Sequence, residues 1–195
     1  MEVAMNFKEL VISNRTCRRY DSSKKISREE MIDLVELARF TPSGINKQGL
    51  RFAVVCDDET NAKVYDNLGW AGYLKEWPGP IESERPTGYI VFLTDEEYGK
   101  PMAEDVGICS QTISLGARAE GMAACIFKSF KGEPIIDILG LEKERYKVIL
   151  VMSIGYPVEE VVVDDIKPGD DIKYYRDEKQ VHHVPKIVLE DLIVK

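Results

Sequence analysis

The sequence has few residues of the kinds that build metal sites or nucleophilic triads. It contains only two histidines and four cysteines among 195 residues, with no C-x-x-C spacing. The signatures of serine hydrolases, zinc proteases and nucleotide-binding loops are also missing: there is no G-x-S-x-G, no H-E-x-x-H, no Walker loop and no G-x-G-x-x-G after a strand. A protein whose own side chains offer no reactive set can take its chemistry from a cofactor.

The sequence also lacks any long apolar stretch. Uninterrupted apolar runs, such as residues 148–152, are far shorter than the ~20 residues that a membrane-spanning helix needs. The first ten residues, MEVAMNFKEL, show neither the basic start nor the apolar core of a secretory signal. We therefore expect a cytoplasmic protein. In that compartment the four cysteines are expected to be reduced, buried small residues: Cys17, Cys56, Cys109 and Cys125.

The overall composition is that of an ordinary globular protein. Hydrophobic residues make up 44% and charged residues 31%, which argues against disorder and fibrous repeats. We find no internal repeat and no linker, so we expect one domain over residues 1–195. The formal charge of −8 argues against general nucleic-acid binding.

Positive charge is concentrated in one short segment of this acidic chain. The segment RTCRRYDSSKKISR, residues 15–28, holds six basic residues and one acid, Asp21. A solvated basic surface is one interpretation. The close arginines Arg15 and Arg18, with the Thr16 hydroxyl between them, favour the other interpretation, a site for a phosphate group.

Periodicity and capping residues predict a series of helices and strands. Helices are expected at residues 7–14, 27–41, 60–68, 100–121 and 134–139, and strands at residues 51–56, 89–94, 122–127 and 146–154. The helix at 100–121 is apolar or small all round, which indicates burial on most sides, including against a partner subunit. We therefore expect an α+β fold with a central mixed or antiparallel β-sheet flanked by helices, in a homodimer.

Three segments fit no regular pattern. Residues 69–88 mix aromatic residues with prolines and glycines, and the aromatic side chains either cap the core or stack on a flat ligand. Residues 161–180 are expected to form an acidic loop. The apolar tail from residue 182 is expected to add an edge strand, in this chain or on another subunit. His182 and His183 are expected to be surface residues beside it.

A polar loop precedes the strand at 51–56, in the stretch TPSGINKQGLRFAVV. Pro42, Ser43 and Gly44 are turn residues. Asn46 and Gln48 add two side-chain amides that can donate and accept hydrogen bonds at once. From this stretch alone, a solvated loop and a ligand-binding loop are equally good interpretations.

Five segments, in their order and spacing, resemble the FMN-dependent nitroreductase family. They are R-T-C-R-R-Y at 15–20, T-P-S-G-I-N-K-Q at 41–48, the helix from Asp105 to Met122, I-G-Y-P at 154–157 and V-P-K at 184–186. The resemblance implies the nitroreductase-like fold, an intertwined homodimer, and tightly but non-covalently bound FMN at the subunit interface. It also implies NAD(P)H as the electron donor.

The resemblance assigns a role to each segment. Arg15, Thr16 and Arg18 would hold the FMN phosphate and ribityl end, with Lys186 as a basic residue at the phosphate. Four residues of the polar loop would lie against the isoalloxazine ring: Pro42, Ser43, Gly44 and Asn46. Four residues at the end of a strand would present their backbone to the flavin near N5: Ile126, Phe127, Lys128 and Ser129.

The resemblance also implies ping-pong reduction of a flat acceptor such as a nitroaromatic or a quinone. Hydride passes to and from flavin N5, so no side chain is assigned as a catalytic acid or base. This chain departs from the family at Gly49-Leu50, where Pro-Trp is common, and at Lys128, where some members carry an acid.

Other functions on the same scaffold remain open from sequence. They are flavin or enone reduction, reductive dehalogenation and FMN fragmentation. A flavin-binding sensor or storage protein without turnover is an alternative of a different class, and a binding module without cofactor is another. The choice between NADH and NADPH cannot be read from the residues.

Overall fold

The computed structural model describes residues 6–195, and a four-stranded antiparallel sheet lies at its centre. The strands are β1 (Leu50–Val55), β2 (Gly88–Asp95), β3 (Ala123–Phe127) and β4 (Tyr146–Gly155). Their spatial order is β1-β2-β4-β3, so β1 and β3 are the two edges. The long apolar strand β2 lies inside the sheet and is buried along its whole length.

Helices pack on both faces of this sheet. The helices are α1 (Phe7–Ser13), α2 (Arg28–Arg39), α3 (Asp58–Tyr65), α4 (Ala103–Ala119), α5 (Gly132–Ile138) and α6 (Leu189–Leu192), of which α2 and α4 pack on one face and α3 and α5 on the other. Met31 of α2 and Ile113 of α4 form one core with Phe92 of β2. On the opposite face, Val64 of α3 and Ile135 of α5 form a second core. The predicted α+β architecture with a central antiparallel sheet is confirmed.

Capping residues explain where several helices begin and end. The predicted capping box of α2 is present: the Glu30 amide donates to Ser27 Oγ at 3.1 Å, and the Ser27 amide donates to Glu30 Oε2 at 2.7 Å. The third helix begins at Asp58 rather than at residue 60, because the Asp57 carboxylate accepts the Thr60 amide at 2.8 Å. Gly121 follows α4 with φ of +76°, a conformation that glycine adopts without strain.

A second sheet includes part of the region that was expected to be an acidic loop, so that expectation was wrong for residues 161–166 and 175–176. The strands β5 (Val161–Ile166), β6 (Tyr175–Arg176) and β7 (His182–Ile187) form a three-stranded sheet in the order β5-β7-β6. The β-branched run at the start of β5 outweighs the acidic residues beside it. The tail strand β7 was expected at a sheet edge, and this was wrong: it lies between β5 and β6 of its own chain. It pairs in parallel with β5, with His182 opposite Val161.

The segment at 69–88 is irregular, as predicted, apart from a short 3-10 turn at Glu82–Glu84. Trp70 packs against Phe127 of β3 with ring centroids 4.7 Å apart, so this aromatic side chain caps the core. No helix among residues 6–195 has both the length and the apolar character to cross a membrane.

The four cysteines are free thiols. Cys17, Cys109 and Cys125 are buried as expected, whereas Cys56 is only half-buried, so the expectation was wrong for Cys56. Burial raises the pKa of the Cys17 thiol to about 12 and that of Cys125 to about 11. Both are therefore inert, protonated side chains at neutral pH.

Candidate cofactor-binding site

The polar loop between α2 and β1 has an unusual backbone. Ile45, Asn46 and Gln48 adopt φ angles of 49°, 56° and 51°. A residue such as Ile45 pays roughly 1–2 kcal/mol in this left-handed region, whereas asparagine adopts it more readily. The loop is also exposed, with 88% of Ile45 accessible to solvent. Packing of the Ile45 side chain therefore does not offset the cost of this backbone conformation. Strained backbone of this kind clusters at functional sites.

Asp105 in the first turn of α4 supports this loop. Its carboxylate accepts the Gly44 amide at 2.9 Å and the Ser43 hydroxyl at 3.0 Å. These bonds lower the pKa of Asp105 below its ordinary value, and the bond from the Gly44 amide has the larger effect. The loop is thus anchored at the N-terminal end of α4, with Pro42 and Asn46 exposed to solvent.

The basic segment divides into outward-facing and inward-facing cations. The Arg15 side chain is half-buried and donates to backbone carbonyls of Asn14 and Val11, while Thr16 is exposed. In contrast, Arg18 turns inward, where its guanidinium lies 4.6 Å from the Tyr174 ring centroid and 3.3 Å from His182.

Arg19, the third close arginine, is not available to a ligand. Its guanidinium makes two bonds to Glu84, of 2.6 and 2.7 Å. The bidentate pair raises the pKa of Arg19 and lowers that of Glu84. Of the arginine cluster, Arg15 is therefore the side chain best placed to meet an anion from solvent.

The edge strand β3 lies beside the basic segment. The Cys17 amide donates to the Ala124 carbonyl at 3.1 Å. Because side chains alternate along a strand, Ile126 and Lys128 share one side while Phe127 points into the core on the other. Ile126 is 43% exposed, and Lys128 donates to the Ile149 carbonyl at 2.6 Å. The Ser129 carbonyl accepts the amide of Gly69, at the start of the irregular segment.

Lys186 lies on β7, exposed to solvent. Two residues before it, Val184 pairs with Val163 of β5. Val163 and Arg15 line the same surface hollow, whose volume is about 380 Å³ and which also includes Arg118. Lys186 itself does not line this hollow, and it pairs with Asp165 of β5.

One chain does not bring all the predicted residues together. The Asn46 loop is bonded to Asp105 near the start of α4. Asn14, the residue before Arg15, is bonded instead near the other end of that helix, where its side-chain carbonyl accepts the Ser114 hydroxyl at 2.9 Å. Nine residues separate Asp105 from Ser114, which is about 14 Å along a helix. The Asn46 loop and the Arg15 segment are therefore held at different points along α4, whereas the predicted ring contacts on β3 lie beside the Arg15 segment.

Sequence reasoning missed a buried polar cluster behind Arg18. The Glu159 carboxylate accepts two bonds from Arg176, of 2.5 and 3.1 Å, and one from the Arg18 amide at 2.8 Å. The side chains of Glu159 and Arg176 are 0% and 8% exposed. They are 17 residues apart in sequence, and no local pattern announces their pairing.

The expectation that both histidines lie on the surface was wrong for His182, which is completely buried. Alternation along β7 turns this ring inward, toward Arg18 and Tyr174. Burial lowers the pKa of His182 to about 4, so the ring is neutral at pH 7. His183 is half-buried and lies 3.0 Å from Asp164, which raises its pKa.

Helices α1, α2 and α4 and the residue after α2 expose several large apolar side chains. Phe7 is 73% exposed, Phe40 at the end of α2 is 70% exposed, and Ile108 of α4 is 38% exposed. A hollow of about 810 Å³ lies between these helices and includes Leu37 and Leu115. A surface of this character is typical of an interface between subunits.

Comparisons with known proteins identify the family of this chain. The family model described as "Nitroreductase family" matches residues 11–78 and 84–156. YdgI of Bacillus subtilis, a candidate NAD(P)H nitroreductase, is 26% identical over 204 residues, covering 88% of this chain and 98% of its own. An iodotyrosine deiodinase of Thermotoga neapolitana is 26% identical over 195 residues, covering 90% and 96%.

Solved structures show the same fold. A candidate nitroreductase of Exiguobacterium sibiricum, solved in complex with FMN, superposes with a TM-score of 0.65 at 24% identity, covering 81% of this chain and 91% of that chain. The predicted nitroreductase-like fold is confirmed. Because the family model covers most of the sequence, this chain belongs to the nitroreductase family.

Proposed function

We propose that this protein is an FMN-dependent oxidoreductase of the nitroreductase type that takes electrons from NAD(P)H. The observation that carries the proposal is the presence of two polar groups at the surface, the half-buried Arg15 with the exposed Thr16 and the exposed Asn46 loop, in a chain that belongs to the nitroreductase family. Names of relatives support it: they include an NADPH nitroreductase and an enone reductase.

The donor set fits the phosphate end of FMN. Arg15, Thr16 and Lys186 offer a guanidinium, a hydroxyl and an ammonium group from accessible positions. These are the donors that proteins use for phosphate oxygens. Arg18 lies behind them with its guanidinium stacked on Tyr174, and it adds positive charge from within.

The exposed loop and strand edge fit the ring end of FMN. The Asn46 amide can match the alternating donors and acceptors at the edge of an isoalloxazine. Pro42, Ser43 and Gly44 bring backbone close to the ring plane, and Ile126 on β3 offers an exposed apolar side chain for contact. Phe127, Lys128 and Ser129 continue this edge, and Lys128 adds a positive charge beside it.

When bound, FMN accepts a hydride from NAD(P)H and returns it to an electron acceptor. The chain's own residues bind and orient the cofactor and the flat molecules that stack on it. Positive charge from Arg15, Lys128 and Lys186 favours the anionic reduced cofactor. No side chain needs to act as an acid or a base. Nitroaromatics and quinones are the acceptors that such a slot suits.

A homodimer completes the site. The Asn46 loop and the segment before Arg15 are anchored to α4 at residues about 14 Å apart along the helix in one chain. A second copy docked on the apolar surface of α1, α2 and α4 can place its Asn46 loop opposite the Arg15 segment. The exposed side chains Phe7, Phe40 and Ile108 would then be covered.

A complementation experiment tests this proposal. Arg15→Ala and Asn46→Ala chains are each expected to bind FMN weakly, because each homodimer carries two damaged sites. Randomly mixed and reassembled, they should recover about a quarter of the tight FMN sites, since half of the dimers are mixed and each has one intact site. Recovery no greater than in the unmixed variants would mean that one subunit builds the whole site.

Acceptor reduction separates an enzyme from a flavin-binding sensor. The purified flavoprotein should oxidise NADH or NADPH when a quinone or nitroaromatic is supplied. A protein that holds FMN but oxidises neither nucleotide would instead be a sensor or storage protein.

A further inference from the structure

The loop at residues 43–48 needs support from elsewhere in the fold. Ile45, Asn46 and Gln48 have positive φ angles, and the loop is largely exposed. Such conformations persist only where surrounding structure over-determines them. Bonds within the loop, from the Asn46 amide to Ser43 and from the Lys47 amide to Gly44, close a turn but do not attach it to the protein.

One buried carboxylate attaches both ends of this loop to α4. Asp105 accepts the Gly44 amide at 2.9 Å and the Ser43 hydroxyl at 3.0 Å. The same hydroxyl accepts the Gln48 amide at 3.0 Å, so the chain of bonds runs from the first residue of the loop to its last. Asp105 is 4% exposed, and exclusion of water strengthens these bonds.

Glycine at position 44 belongs to the same arrangement. A Cβ atom added there would collide with the sulfur of Met102, the residue just before α4. The loop backbone thus rests directly on the start of the helix, within reach of Asp105.

We propose that Asp105 is a positioning residue for the flavin, which fixes the 43–48 loop in the strained conformation that presents Asn46 to the ring. Asp105 does not contact the cofactor and acts through Ser43 and Gly44. This inference rests on the proposed function, because it requires the loop to lie against bound FMN.

The test compares two neighbouring carboxylates of α4. Asp105→Asn keeps the shape of the side chain but offers one acceptor oxygen where the loop presents two donors. Glu104→Gln removes the same charge from the same helical turn at an exposed side chain. For Asp105→Asn we expect the FMN dissociation constant to rise at least tenfold, with near-native thermal stability. Glu104→Gln should match the unsubstituted protein.

Two further measurements report on the loop itself. Amide hydrogen exchange of residues 43–48 in the apoprotein should be faster in Asp105→Asn than in Glu104→Gln. The fine structure of the bound flavin's absorption near ~450 nm should also change, because the loop would no longer hold its contact with the ring. A residue that only stabilises the helix would leave this spectrum unchanged.

The outcomes separate this inference from the proposed function. Absence of FMN binding by the unsubstituted protein refutes both. If the unsubstituted protein binds FMN and Asp105→Asn binds it equally well, the inference alone is refuted. The inference is also refuted if amide exchange is faster in Asp105→Asn while the FMN dissociation constant and the flavin spectrum are unchanged. If Asp105→Asn does not fold, amide hydrogen exchange in the unsubstituted protein is the test. The Gly44 and Gln48 amides are expected to exchange slowly. Exchange at the rates of an unstructured peptide would overturn the inference.

Discussion

Removing the arginine of the buried Glu159–Arg176 pair should destabilise the protein strongly. In Arg176→Ala, the Glu159 carboxylate loses both bonds from the guanidinium and keeps the Arg18 amide as its remaining partner. Both side chains are almost fully buried, so solvent cannot replace what is lost. Breaking a buried pair in this way costs roughly 3–5 kcal/mol of the free energy of unfolding. The stacking of Arg176 on Trp77, at 4.2 Å, is lost as well.

Thermal denaturation at fixed protein concentration measures this effect. For a chain of this length, ~1 kcal/mol shifts the melting temperature by roughly 2–4 °C, so we expect a decrease of about 6–20 °C. Lys63→Ala is the matched control, because its ion pair with Glu59 is largely exposed and is worth well under ~1 kcal/mol. A decrease for Arg176→Ala no larger than for Lys63→Ala would refute the reasoning.

Three other predictions concern the ligand, the interface and pH. Arg15→Ala should weaken FMN binding roughly tenfold, because a charged hydrogen bond to the phosphate is lost. Riboflavin has no phosphate, so its binding should be unchanged. Equal losses of affinity for FMN and riboflavin in fluorescence titrations would contradict this. Ile108→Asp places a charge on the exposed apolar surface of α4 and should shift the protein from dimer toward monomer. A sedimentation mass equal to that of the unsubstituted protein would contradict the proposed subunit interface. Asp164 raises the pKa of His183 in the folded protein above the ordinary value of 6.5. The stabilisation from the charged His183 is therefore complete below pH 6.5 and is lost as the pH rises through the pKa of the folded state. Urea unfolding should show this loss, and His183→Asn should lack it.

Local signals in the sequence predicted much of the fold. The Ser27–Glu30 capping box placed the start of α2, and Gly121 marked the end of α4, because these signals depend on neighbouring residues only. Apolar runs placed the four strands of the central sheet for the same reason. The second sheet was missed because the acidic residues of β5 resemble a loop and because its partner strand is far along the chain.

The candidate site residues could be named from the sequence, whereas the contacts that hold them in place could not. Motif residues such as Arg15 and Asn46 could be named from their segments. The contacts of Asp105 with the polar loop, and of Glu159 with Arg176, join residues that only the tertiary fold brings together. The inward orientation of Arg18 likewise depends on Tyr174, which is distant in sequence.

The most direct test of the account is the absorption spectrum of the purified protein, followed by anaerobic mixing with NADH and then with NADPH. The account predicts flavin bands near ~450 nm that bleach with at least one of the two nucleotides. Flavin bands that bleach with neither would contradict the proposed enzyme activity. Absence of flavin, even after reconstitution with FMN, would contradict the central claim that Arg15, Lys186 and Asn46 form a flavin site.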